Sequence, residues 1–188
     1  MTWRRPIIAL TVGLAAAVAT TAAASPAAVA ACRIPDLSIA NAGKVVGMGL
    51  SGRVLRLTNV GTRSCTLARW PRFELVDEHG ALPYVTRYNH GCVWFCRSQD
   101  KQVRQSGVVV VNPGRSVYLG FDQYRCDLGT QRYAVSARVV VSPTASLAAI
   151  LIRIPRYPVF GYCGKGDPGS ILSISPFEPT YRAAFIRM

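Results

Sequence analysis

Between residues 53 and 175 the chain is a succession of short runs in which aliphatic, β-branched and aromatic side chains alternate with polar ones. This rhythm constrains the fold more than any other feature, because side chains alternate across a strand with period two, whereas a helix needs 3.6. In 53–59, Leu55 and Leu57 fall on one face and Arg56 and Thr58 on the other. Runs at 73–76, 82–88, 108–111, 116–121, 133–141, 149–154 and 171–175 follow, bounded by Gly, Pro, Asn or Asp. Asp77-Glu78-His79-Gly80 predicts a hairpin turn with 82–88 as the return strand. Asn112-Pro113-Gly114 predicts a type II turn, since Pro fixes the first central φ and Gly accepts the positive second one. In 133–141, Tyr133, Val135, Ala137, Val139 and Val141 are expected on one inward face. Pro143, Pro155 and Pro158 flank strands, where a missing N–H is tolerated. No stretch after Ala31 carries a helical stripe. The pattern predicts an all-β domain folded as a two-sheet sandwich.

The amino terminus reads as an export signal. Arg4 and Arg5 precede an uncharged run over 7–24, Pro26 breaks it, and Ala28-Val29-Ala30 supplies the small residues of a cleavage site. The run is diluted by Ala, Thr and Gly, so it predicts a cleaved signal and no stable transmembrane span after processing. Arg4-Arg5 hints at twin-arginine export, but Trp3, Pro6 and Ile7 fit that pattern poorly. The domain plan is therefore a signal peptide at 1–30, a sandwich at 31–177 and a loosely held carboxy-terminal tail at 178–188. Val29-Ala30-Ala31-Cys32 also fits the lipoprotein pattern, in which the Cys receives lipid. The six cysteines are an even set, and lipidating Cys32 would strand one thiol. Secretion or release into the cell envelope is the favoured reading, with anchoring through Cys32 as the alternative.

The formal net charge is +13, and loss of Arg4 and Arg5 with the signal removes two of those charges. Such a surplus favours an anionic cell-envelope component or an acidic envelope protein. Of the 22 basic residues only Lys44, Lys101 and Lys165 are lysines, and they and the arginines are scattered without a basic arm. No nucleic-acid-binding motif accompanies them, so nucleic acid is not an expected partner.

A family resemblance lies in a series of motifs. These are Cys32-x3-Asp36-Leu37, Leu55-x-Leu57-Thr58-Asn59-Val60-Gly61, Ser64-Cys65-Thr66-Leu67, Trp70-Pro71 and Asp77-x2-Gly80. Asn112-Pro113-Gly114-Arg115-Ser116, Cys126 and Cys163-x7-Ile171-Leu172-Ser173-Ile174-Ser175-Pro176-Phe177 complete it. The series resembles an actinobacterial family of exported proteins and lipoproteins, domain of unknown function 4232. The resemblance implies an immunoglobulin-like sandwich, disulfide-stabilised, and implies no activity. Trp70 stands where the family usually has Gly, and the pair Cys92/Cys96 is usually absent from it.

Six cysteines permit fifteen pairings. Strand order and loop length, with the resemblance for the two long pairs, favour Cys32–Cys65, Cys92–Cys96 and Cys126–Cys163. The short loop encloses Val93-Trp94-Phe95, too tight for all three side chains to turn inward. Trp94 or Phe95 is then exposed beside Arg97, Lys101 and Arg104, an apolar anchor with a cationic rim and the candidate binding surface. The other reading folds both aromatics back as a lid over the end of the sandwich. His90, Cys92 and Cys96 lack the Cys-x2-Cys spacing of zinc sites, and no metal or other cofactor is expected.

No catalytic motif stands out. The two histidines, His79 and His90, sit in turns; Asp77, Glu78 and Asp127 read as solvent-facing turn residues. There is no G-x-S-x-G elbow, phosphate loop or dinucleotide fingerprint. The expectation is a non-enzymatic exported domain that binds or builds. A secreted hydrolase with a non-contiguous site around His90 is the competing reading.

Overall fold

The alternation at 53–59 buries Leu55 and Leu57 completely and leaves Arg56 exposed. The computed structural model describes residues 28–47, 49–88, 107–127, 129–141 and 149–188. In chain order its strands are β1 (Leu37–Gly47), β2 (Leu50–Asn59), β3 (Cys65–Ala68), β4 (Arg72–Asp77), β5 (Gly80–Ala81), β6 (Val85–Tyr88) and β7 (Val108–Val111). They continue as β8 (Ser116–Tyr124), β9 (Arg132–Tyr133), β10 (Ser136–Val140), β11 (Ala149–Arg153), β12 (Gly161–Tyr162) and β13 (Ile171–Ile174), before helix α1 (Tyr181–Ile186). One sheet has the order β1-β2-β8-β13-β6 and the facing sheet β11-β10-β4-β5, with ribbons β9–β12 and β3–β7 beside them. The domain is thus an all-β, immunoglobulin-like two-sheet sandwich.

Phe121 marks its centre. Its ring lies 4.5 Å from Phe73 of β4 and 5.0 Å from Phe160 of the segment before β12. Leu119, Leu172 and Ile174 from the first sheet and Leu75, Ala137 and Val139 from the second complete the buried layer. Burial of this kind contributes about 25 cal/mol per Å² of apolar surface, the main favourable term in the fold.

The Leu57-Thr58-Asn59-x-Gly61 stretch has a clear role. Asn59 is fully buried, donates from Nδ2 to the carbonyls of Arg63 and Val111 at 2.8 Å each, and accepts from Gly61 N–H at 2.9 Å. Its own carbonyl accepts from Gly114 N–H in the Asn112–Arg115 turn, where Gly114 takes φ +70°. One side chain and its backbone therefore join the turn at 60–63, the end of β7 and the Asn112–Arg115 turn, which is what a buried amide with every group bonded can do.

Several expectations are corrected. The strand β1, rich in Ala, Gly and Asn, alternates only over Leu37-Ser38-Ile39 in residue type and lies outside the runs read as strands, yet it pairs with β2 along its whole length around a bulge between Asn41 and Gly43. The return strand 82–88 is split: β5 pairs with β4, then the chain crosses at Leu82–Tyr84 and β6 joins the opposite sheet, parallel to β13. Pro83, which has no N–H to give a ladder, sits at that crossing. The run 133–141 is split as well, because Ala134 N–H bonds Phe160 O and Val135 N–H bonds Val76 O. Ala137, Val139 and Val141 point inward as expected, but Tyr133 and Val135 are half exposed.

The tail at 178–188 is packed, not loose. Thr180 caps α1 through Ala183 N–H at 3.2 Å, Arg187 pairs with buried Glu178 at 2.8 Å, and Ala184 and Met188 are buried against Val54 on the outer face of the first sheet. Gly120 leaves the notch they fill, since a Cβ there would collide with Met188 and with the Ala184 carbonyl.

Candidate functional site

The described cysteines pair as Cys32–Cys65 and Cys126–Cys163, with Cα separations of 4.7 and 5.3 Å. The pair Cys92–Cys96, His90 and the candidate surface of Trp94, Phe95, Arg97, Lys101 and Arg104 lie outside the described residues. His79 is an exposed turn residue beside Glu78, as expected. Asp77 is not solvent-facing: its side chain is 6% exposed and accepts from Arg132 at 2.6 and 2.7 Å. That guanidinium, with a further bond from His79 N–H, holds the Asp77 carboxyl down at about 2.

The pairing of Asp77 with Arg132 fixes β9 against the β4–β5 turn and so builds one wall of an apolar groove. Tyr133, Ala134 and Val135 form that wall; Pro155, Pro158 and Val159 form the other, and Phe160 is the floor. The groove has a volume of about 280 Å³. Tyr133 is 58% exposed, and Tyr157, on the same loop as Pro158, is 59% exposed. One cation, Arg156, lies in the lining, and a second, Lys44, has its Nζ 4.8 Å from the centre of the ring of the neighbouring Tyr157.

Two buried polar side chains from the first sheet pin the loop in place. Arg53, on the inward face of β2 and 3% exposed, donates Nη2 hydrogen bonds to the carbonyls of Pro155 and Tyr157. Its Nε has no partner among the described residues, and burial pulls the guanidinium below its ordinary value, although arginine stays charged. Gln123, on the inward face of β8, donates to Gly161 O at 3.2 Å and accepts from Gly161 N–H at 3.1 Å and from Tyr84 Oη at 2.7 Å. The loop therefore leaves β11 held by Arg53 and enters β12 held by Gln123. The Tyr157–Pro158 peptide between them is cis.

A second concavity of about 330 Å³ opens where the chain crosses from β5 to β6, lined in part by Glu74, Tyr84 and Thr86. It gathers a carboxylate and two hydroxyls, but Glu74 accepts from Arg72 and Arg138 and the Tyr84 hydroxyl donates to Gln123. Burial pushes the Tyr84 phenol well above its ordinary value, so it stays protonated. Glu74 and Tyr84 are thus both taken up in bonds within the fold. Among the described residues no three of His, Cys, Asp and Glu gather closely enough to hold a metal.

Reasoning from residues alone missed the groove. Pro155-Arg156-Tyr157-Pro158 was visible as a proline pair around a tyrosine and a cation, but the prolines read as strand flanks. Nothing local marks Tyr133 as its partner across the gap.

Fold and site together define a disulfide-stapled all-β sandwich domain with a cation-flanked apolar groove at the β9–β12 ribbon. The chain matches the family described as Domain of unknown function (DUF4232) over residues 32–176, and it belongs to that family. No curated protein and no solved structure matches it.

Proposed function

We propose that the chain is an exported, non-enzymatic binding domain of the cell envelope or extracellular space, which holds an anionic partner at the β9–β12 groove. The observation that carries the reading is the grouping of exposed Tyr157 and Val159 with Arg156 on a loop held by buried side chains, with Tyr133 of β9 across the groove and Lys44 of β1 against Tyr157. Exposed tyrosines on a rigid frame give contact area at small entropic cost, and cations beside them select for negative charge. The disulfides support an oxidising destination. Cys32 is buried in its bond with Cys65, which leaves its sulfur no valence for a lipid thioether and favours the released form over the lipoprotein.

The test is retention on isolated envelopes of the producing cells. Tyr157→Ser combined with Val159→Asp replaces exposed side chains, so the melting temperature should move little while retention falls at least tenfold. Unchanged retention, with the variant folded, would remove the groove from the function. Mass spectrometry of the mature protein showing diacylglyceryl on Cys32 would overturn the released form.

A further inference from the structure

We infer that the groove takes a free, single-chain amphiphile: an acyl chain lies between Tyr133 and Val159 and its acidic headgroup meets Arg156 and Lys44. The inference rests on the groove being the binding surface. Its first support is the lining. The walls are Tyr133, Val135, Pro155, Pro158 and Val159 over the buried ring of Phe160, and among the described residues no carboxylate lines them. A sugar would bring many hydroxyls to a site whose described side chains offer it, apart from the Tyr133 phenol and Arg156, no hydrogen-bonding group.

Its second support is the state of the backbone. Ala134 N–H is bonded to Phe160 O at 2.9 Å, Val135 N–H to Val76 O at 2.9 Å, and Ile154 N–H to Val135 O at 3.0 Å. An extended peptide gains affinity by adding main-chain hydrogen bonds to an open edge, and here those groups are already used. What the groove can reward is apolar surface. Its volume of about 280 Å³ holds about nine water-sized groups at ~30 Å³ each, the body of one short acyl chain.

Its third support is charge. Asp77, the acid beside this wall, is taken up by Arg132 in a two-point bond, so it does not neutralise the rim. Arg156 makes no ion pair with any described residue, and Lys44 rests on the face of Tyr157. An apolar trough with Arg156 in its lining and Lys44 on the adjoining Tyr157 is complementary to a chain with an acid at one end.

Decanoate and decanol, both below their aggregation thresholds, are the probes, titrated against the full mature protein by displacement of a fluorescent fatty acid. Saturable binding of decanoate is expected, with decanol at least tenfold weaker. Val159→Asp should abolish uptake, and Arg156→Gln should erase the preference for the acid while leaving chain binding in place. Both residues are on the surface, and thermal unfolding of each variant confirms that it is folded. Decanoate uptake that Val159→Asp leaves unchanged would place the ligand elsewhere and overturn the inference. So would attachment to phosphatidylglycerol vesicles without uptake of free decanoate. If no amphiphile binds and yet Tyr157→Ser with Val159→Asp still lowers envelope retention, the ligand class falls and the groove survives as the binding surface.

Discussion

Asp122 stands on the outer face of β8, 5% exposed, over Gly52 of β2 and next to Ser173 of β13. Burial raises its carboxyl to about 6, and the Ser173 hydrogen bond only partly opposes the rise. A carboxyl raised above its ordinary value near 4 binds protons more tightly in the folded state, so stability falls as pH climbs from about 4 to about 6 and stays reduced above that. Asp77 has the opposite sign: held at about 2, it adds stability above pH ~4 that is lost as pH drops towards 2. Asp122→Asn keeps a hydrogen-bonding group of the same shape and removes the buried charge. It should stabilise the fold at pH 7 by on the order of 1–3 kcal/mol and flatten the slope between pH 4 and 6. Urea unfolding across that range measures both, and superimposable curves for the two proteins would refute the assignment. None of this was legible in the sequence. Asp122 sits in an alternating strand like any outward polar residue, and only the neighbours that cover it change its chemistry.

Helix α1 shows how far an element depends on its surroundings. Six residues are too few to be helical alone in water, because nucleation outweighs so short a ladder. The helix exists because Thr180 caps it and because Ala184 and Met188 drop into the notch at Gly120. Gly120→Val would fill that notch while suiting the strand itself. The expected result is release of α1 with loss of about 2–4 kcal/mol, comparable to emptying a core site. Amide exchange should show protection lost over 181–188 and kept in β10. Full protection of α1 in the variant would show that the notch does not hold it. The strands divide in the same way. The alternating runs of β2 and β8 were readable because half of each faces a core. Strand β1 was not, since its Ala, Gly and Asn residues carry no period and its place is set by ten residue pairings with β2.

At the scale of the whole molecule, two long-range bonds clamp different ends. Cys32–Cys65 ties the start of the domain to β3, across 33 residues. Cys126–Cys163 ties the end of β8 to the residue after β12, across 37 residues, and so closes the frame that carries the groove. On the chain-entropy model each contributes about 3–4 kcal/mol. Replacing either pair by Ala should therefore lower stability by similar amounts. Their effects on the groove should differ: at a temperature where both variants are folded, removing Cys126–Cys163 should weaken envelope retention at least threefold, and removing Cys32–Cys65 should leave it unchanged. Equal losses of retention in the two variants would show that the bond does not act through the groove.

The class of fold, the turn at Asn112–Gly114 and, with the family resemblance, the two long disulfides were legible from the residues alone. Each of these rests on local period, backbone preference or the arithmetic of cysteines. The groove was not legible there. Tyr133 and Tyr157 are 24 positions apart, and the groups that set the loop between β11 and β12 are Arg53 and Gln123, far away in the chain. A buried guanidinium that bonds carbonyls, or a buried amide that bonds a glycine backbone, leaves no spacing or period for a reader of residues. Both become visible only when strands distant in sequence lie side by side, because hydrogen bonding and desolvation act through space and not along the chain.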